Sequence, residues 1–121
     1  MLKDKLYTIV RSAHRDGIIT ATLELDKNNE IFAGHFPGQP VLPGACMLQM
    51  IKEVVETTLA ITTRLKKAEQ VRFPALINPE IHKLLELTIS YTGVEEIMAM
   101  GNLSAQDNIC CKFKGTFIAY T

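Results

Sequence analysis

The chain has 121 residues, of which 47% are hydrophobic and 21% charged, so it can form one domain with a substantial core and is too apolar for a disordered chain. Lysine plus arginine and aspartate plus glutamate balance at 13 each, which excludes the basic surplus typical of proteins that bind nucleic acid. We therefore expect a single domain, residues 1–121, with no nucleic-acid partner.

The first half of the chain predicts two strands and then one long helix. The residue pattern predicts a strand at LYTIVRSA, a tight turn at Asp16-Gly17 and a second strand at IITATLEL (Ile18–Leu25). The polar loop DKNNE and a segment rich in proline and glycine follow. From Pro43-Gly44 onward, an apolar stripe at spacings of three and four predicts a helix of about five turns. The stripe consists of Met47, Leu48, Ile51, Val54, Val55 and Leu59.

The other side of this predicted helix is polar. Gln49, Lys52, Glu53 and Glu56 fall there, and glutamate is usually exposed, so we expect Glu53 to face solvent. The β-branched run TTLAITT is a weak helix stop.

The second half of the chain predicts an antiparallel sheet. The first segment is LKKAEQVRFPALI, which ends at a break at Asn78-Pro79. The next is LLELTISYT, in which apolar and polar residues alternate. Two further segments, IMAMGNLSA and ICCKFKGTFIAY, are separated by a turn at residues 106–108. Alternation places Phe113, Gly115, Phe117 and Ala119 on one face of the last strand. The element order predicts an α+β domain with the helix laid against one sheet. Since one helix leaves an edge strand unpaired, we expect a homodimer.

The three cysteines do not form a metal-ligand pattern. Cys46 stands alone, and Cys110 and Cys111 are adjacent, so on a strand they point to opposite faces. We expect all three to be reduced packing residues, with no metal and no cofactor. The first ten residues lack an apolar run suited to a signal peptide, and no apolar span reaches the length of about 18 residues needed to cross a membrane. These features predict a cytoplasmic protein without a membrane partner.

The segment GHFPGQPVLPG, residues 34–44, is the strongest candidate for chemistry. It holds one histidine, His35, and three of the five prolines of the chain. Prolines stiffen the backbone, so they can hold an imidazole in one place, and histidine titrates near neutrality, as a general base must. The segment leads to a helix N-terminus at Gly44, where free N–H groups can polarise a carbonyl. Taken alone, the pattern also fits an ordinary loop with a structural histidine.

The same segment resembles the signature of the 3-hydroxyacyl-(acyl carrier protein) dehydratases, a hotdog-fold family. The family motif, His-Phe-Pro-Gly-x-Pro followed by two apolar residues and Pro-Gly, is met at every fixed position from His35 to Gly44. The later segments agree more loosely and in the same order. The resemblance implies a long helix wrapped by an antiparallel sheet, a dimer with sites between subunits, and an acyl thioester substrate on acyl carrier protein or coenzyme A.

The resemblance also implies roles for individual residues. His35 would take the proton from C2 of the substrate, the N–H of Gly44 would hold the thioester oxygen, and Phe36 would anchor the loop. The family carries a carboxylate 14 residues after the histidine, on the helix of the partner subunit, which protonates the departing 3-hydroxyl. This chain has Gln49 there. An amide cannot donate a proton at neutral pH.

Three functions remain open. The first is a dehydratase with another acid, for which Glu53, one turn further along the helix, is the nearest candidate. The second is a thioesterase in which Gln49 positions water. The third is an acyl-thioester binding subunit without turnover, for example half of a pair whose partner carries the acid. Other polar residues, His14, Glu80 and His82, are expected at the surface, and Met47 and Met50 in the core.

Overall fold

The computed structural model describes residues 1–33 and 40–120. The described chain is a six-stranded antiparallel sheet and one α-helix, in the order β1 (Tyr7–Arg15), β2 (Ile18–Leu25), a 3-10 turn (Glu30–Phe32), α1 (Gly44–Leu59), β3 (Thr62–Arg72), β4 (Leu84–Thr92), β5 (Glu96–Ala105) and β6 (Asn108–Tyr120). In space the strands lie in the order β1-β2-β4-β5-β6-β3. The helix follows the second strand of the chain, while the third strand lies at the far edge, beside β6.

The helix covers one face of the sheet, and the buried side chains of both form one core. Alternation along β4 buries Leu85, Leu87 and Ile89 and exposes the residues between them, as the period of two predicts. The predicted face of β6 is also correct, since Phe113, Gly115 and Phe117 are buried and Ala119 is half-buried. The predicted α+β hotdog architecture, a central helix wrapped by an antiparallel sheet, is confirmed.

The local turns follow from residue chemistry. Asp16 and Gly17 have φ of 52° and 74° and connect β1 to β2 through the predicted tight hairpin. The helix is 16 residues long and ends where Ala60 adopts a left-handed conformation with φ of 55°. β3 stops at Arg72, two residues before Pro74, because proline has no N–H for a sheet hydrogen bond. The long predicted segment LKKAEQVRFPALI is therefore strand only in its first part.

The prediction that Glu53 faces solvent is wrong. Its side chain is fully buried. The segment before β1 folds over this part of the helix, where Leu6 and Tyr7 are buried as well. The apolar stripe was identified correctly, but the cover over the polar side of the helix comes from residues about 50 positions earlier in the chain.

Candidate functional site

The helix begins at Gly44 against the ring of Phe73. A Cβ atom at Gly44 would lie 2.7 Å from Cζ of Phe73, so the absence of a side chain lets the ring pack onto the helix start. The loop is tied in place just before this point, where the N–H of Leu42 donates to the carbonyl of Ile77 at 2.9 Å.

The first turn of the helix carries no side chain that neutralises its dipole. The N-cap residue is Pro43, which has no side-chain acceptor, and the turn contains no acidic residue. Its N–H groups and the positive end of the helix dipole therefore suit a developing negative charge on a bound carbonyl oxygen. This is the environment that the expected role of Gly44 requires.

Gln49 lies half-buried on the helix and contacts Glu53 one turn further on. Its Nε2 donates to Oε2 of Glu53 at 2.8 Å. The spacing of four residues puts both side chains on the same face of the helix. An ionised carboxylate accepts hydrogen bonds and donates none, so the amide nitrogen must face Glu53 and the amide oxygen must point away from that contact.

Glu53 receives three further hydrogen bonds from the segment before and at the start of β1. The N–H of Leu2 donates to Oε2 at 2.9 Å, and the N–H of Lys3 donates to Oε1 at 2.8 Å. The phenol of Tyr7 also donates to Oε1, at 3.0 Å. Each carboxylate oxygen thus accepts two hydrogen bonds, which fills the usual capacity of the group.

These contacts decide the protonation state of the buried carboxyl. Burial by itself raises the pKa of Glu53, but the hydrogen bonds from Leu2, Gln49, Lys3 and Tyr7 outweigh burial and hold this pKa below its ordinary value. Burial, followed by the charge of Glu53, raises the pKa of the Tyr7 phenol, so Tyr7 remains a donor. Glu53 is therefore an anion at neutral pH. The stability that it provides is present above the ordinary glutamate pKa of about 4.3 and is lost as pH falls through the lower folded value.

A comparison with protein families relates this chain to a known family. Residues 11–114 match the family model described as ApeI-like: ApeI dehydratase. The chain belongs to this family. A curated relative of the ApeI-like chain is the 3-hydroxyacyl-(acyl-carrier-protein) dehydratase FabZ of Lactobacillus helveticus, which is 25% identical over 109 residues, 83% of this chain and 72% of the relative.

Solved structures agree on the fold of this ApeI-like protein. The dehydratase heterocomplex ApeI:P from Xenorhabdus doucetiae superposes with a TM-score of 0.74 and 23% identity, over 93% of this chain and 97% of that chain. A hypothetical thioesterase with coenzyme A from Streptococcus pneumoniae superposes with a TM-score of 0.65 and 15% identity, over 94% of this chain and 85% of that chain. At these identities the likeness establishes the hotdog fold alone.

The structure brings some of the predicted site residues together. Gln49 and Glu53 are in direct contact, and Gly44 opens the same helix. His35 and Phe36 lie outside the described residues. Sequence patterns gave no sign of Tyr7, Leu2 and Lys3 as partners of Glu53. Two of these contacts are made by backbone N–H groups, which every non-proline residue carries.

The remaining candidates take ordinary structural positions. Met47 and Met50 are core residues, as predicted, and the three cysteines are buried free thiols whose pKa values are raised by burial. His14 is exposed, as expected, and its Nε2 lies 2.6 Å from the hydroxyl of Tyr91. Glu80 is exposed too. His82 was expected at the surface but is half-buried. Its Nδ1 accepts a hydrogen bond from the N–H of Asn78 at 2.9 Å, which is a structural contact.

Two surface cavities of this single chain lie away from the helix start. One of about 380 Å³ lies beside Asp4 and Pro79, and one of about 400 Å³ lies on the outer face of the sheet beside Met100. Neither is lined by Gly44, Gln49 or Glu53. Within residues 1–33 and 40–120, no cluster of three or more His, Cys, Asp or Glu side chains could hold a metal ion. No helix in this part of the chain is long and apolar enough to span a bilayer.

Proposed function

We propose that this ApeI-like protein catalyses the dehydration of a (3R)-hydroxyacyl thioester to the trans-2-enoyl thioester, or the reverse hydration. The observation that carries the proposal is the family match over residues 11–114. The substrate is an acyl chain on acyl carrier protein or coenzyme A, in fatty-acid or related acyl-chain synthesis, and the reaction needs no cofactor.

The roles of three residues follow from this reaction. His35 takes the C2 proton as general base, and the N–H of Gly44 hydrogen-bonds the thioester oxygen as charge develops on it. Phe36 anchors the loop between them. The packing of Phe73 on the helix start supports the second role, because it fixes the backbone at the point where the oxygen would bind.

The contacts of Gln49 and Glu53 favour another source for the proton that the leaving hydroxyl needs. The Gln49 amide has no acidic proton, and Glu53 is an anion whose acceptor sites are filled. We therefore propose that His35 returns the C2 proton to the 3-hydroxyl. The C2–H and C3–O bonds break, a C2=C3 double bond forms, and the hydroxyl leaves as water.

The test is an assay of the purified chain with a short trans-2-enoyl thioester. We expect the conjugated absorbance of the enoyl group to fall as water adds across the double bond, with no release of free thiol. Both signals are followed in parallel, with carrier-protein and coenzyme A forms of the same acyl group. Thiol release without hydration would contradict the dehydratase proposal and identify a thioesterase. Binding of acyl carrier protein without any turnover would instead identify a non-catalytic subunit.

One observation favours each of these alternatives. An amide oxygen at Gln49 can hold a water molecule, as a thioesterase requires, and the solved hypothetical thioesterase from Streptococcus pneumoniae shares the fold. The solved ApeI:P assembly is a heterocomplex, so a chain that lacks an acid can be half of a pair whose partner supplies one. Turnover that appears only on addition of a second hotdog subunit would identify that arrangement.

We also propose that two copies of the chain pair along β3. Among residues 1–33 and 40–120, this strand pairs with β6 on one side only and lies at the edge of the sheet. Leu65 stands opposite Phe117, so it points to the face that the helix covers, yet 42% of its surface is exposed. Phe73 and Leu76, which follow the strand, are exposed as well. A partner subunit at this edge would cover these apolar side chains and the open strand.

We expect light scattering at micromolar concentration to give the mass of a dimer. Leu65→Glu should shift the mass toward the monomer, because it places a charge in the proposed contact. Val10→Glu is the matched control, since Val10 is also exposed but lies on β1, the opposite edge. A monomer for the unmodified chain, or equal effects of the two substitutions, would contradict pairing through β3.

A further inference from the structure

Glu53 has the geometry of a group that holds another side chain in place. It is fully buried, and its two oxygens accept four hydrogen bonds at 2.8–3.0 Å. Three of the four donors belong to residues 2–7, a separate segment from the helix. The carboxylate is therefore fixed from outside the helix, and it has no free lone pair with which to contact a substrate.

The orientation of Gln49 follows from that anchor. A free glutamine can rotate about its last torsion and exchange the places of its nitrogen and oxygen at small energetic cost. Here such a rotation would turn the amide oxygen toward the Glu53 carboxylate, where two acceptors would face each other. The 2.8 Å contact therefore selects one of the two orientations, in which Oε1 points away from Glu53.

We propose that Glu53 is a positioning residue, which orients the Gln49 amide so that its Oε1 is the atom presented to the substrate. This inference rests on the proposed function, in which position 49 faces the 3-hydroxyl group or the attacking water. The oxygen accepts the hydrogen of that hydroxyl or water, and this directs the oxygen lone pairs of the bound group elsewhere. The site at Gln49 thus selects groups that donate a hydrogen bond, and it rejects a substrate group that can only accept.

The test is a double-mutant cycle with two readouts. Glu53→Gln should lower kcat by about tenfold or more, within the range of up to about 10² expected for misplacement of a site group. In a Gln49→Ala background the same substitution should leave kcat unchanged, because the amide that Glu53 orients is already gone. The midpoint of thermal unfolding should fall in both backgrounds, because the hydrogen bonds from Leu2, Lys3 and Tyr7 are weakened in both. A further loss of kcat in the Gln49→Ala background equal to that in the wild type would overturn the positioning role.

Tyr7→Phe is the matched control. It removes one hydrogen bond from Glu53 and leaves the contact with Gln49, so it should lower stability without changing kcat. A loss of kcat with Tyr7→Phe as large as that with Glu53→Gln would also overturn the positioning role.

The side-chain amide signal of Gln49 in the NMR spectrum tests the orientation without any turnover. This signal is assigned by its loss in Gln49→Ala. In the wild type we expect one of its two hydrogens to be shifted strongly downfield by the charged acceptor, and we expect Glu53→Gln to remove that shift. A protein without turnover but with the shift would refute the proposed function and support the orientation. If Glu53→Gln does not fold, the wild-type spectrum decides, and a Gln49 signal at the position of a free amide would overturn the inference.

Discussion

Replacing His35 by alanine is expected to lower turnover of an acyl thioester by about 10² to 10⁴, the range of a general acid–base catalyst. The loss would lie at the upper end, since in the proposed route one imidazole both removes the C2 proton and returns it. The fold and the proposed dimer should persist, because proline residues restrict the backbone and an imidazole side chain does not. Turnover is measured as enoyl thioester hydration, and folding by circular dichroism and light scattering.

His14→Ala is the matched control for this substitution. His14 is exposed on β1, and its contact is with Tyr91, so its loss should leave turnover unchanged. Near-wild-type activity of His35→Ala on every thioester tested would remove His35 from the site.

Replacing Gln49 by glutamate is expected to raise hydration activity by about 10² or more, toward the full contribution of a general acid. The two side chains have nearly the same shape, so packing should change little. The new carboxyl group would lie about 2.8 Å from Oε2 of Glu53, in place of the amide nitrogen. Two carboxylates this close cannot both be ionised, and the pair must share a proton. Glu53 keeps three other donors, so the new carboxyl group takes the proton and becomes an acid at neutral pH.

The pH dependence of the Gln49→Glu protein tests this mechanism directly. Its extra activity should be present below the raised pKa of the new carboxyl group and should disappear as pH rises through it. Because the pKa of the new carboxyl group is higher in the folded than in the unfolded protein, the variant should be less stable at pH 7 than at pH 5, relative to the wild type. Adding Glu53→Gln removes the like charge, so the alkaline loss of activity should move to lower pH. Gln49→Met, similar in size and without a polar group, controls for packing. The shared proton is excluded if Gln49→Glu does not raise hydration activity. It is also excluded if activity rises but its pH profile is the same with and without Glu53→Gln.

Much of the fold could be predicted from the sequence, because it depends on local patterns. The alternation of Leu85, Leu87 and Ile89 identified a half-buried strand, and Asp16-Gly17 identified a hairpin. The apolar stripe from Met47 identified the helix and the side that packs on the sheet.

The surroundings of Glu53 could not be predicted in this way. A helix pattern shows which side is apolar, but it does not show what covers the polar side. Here the cover is a segment about 50 residues earlier, and two of its contacts come from backbone groups that leave no trace in residue identity. The chemistry that the motif around His35 predicts stays a prediction, while Gln49 could be recognised only as a departure from the family pattern. Its partner and its orientation required the structure.

The hydrogen bonds to Glu53 also connect local unfolding to the site. Short segments outside the helices and strands often open locally, with opening free energies close to zero. Here the N–H groups of Leu2 and Lys3 are held by a buried carboxylate, so they should be protected against hydrogen exchange like residues of the core. Each opening of this segment would expose Glu53 to water, while the contact between Glu53 and Gln49 lies within the helix. The exclusion of water from the carboxylate that orients Gln49 therefore depends on a segment that need not touch the substrate.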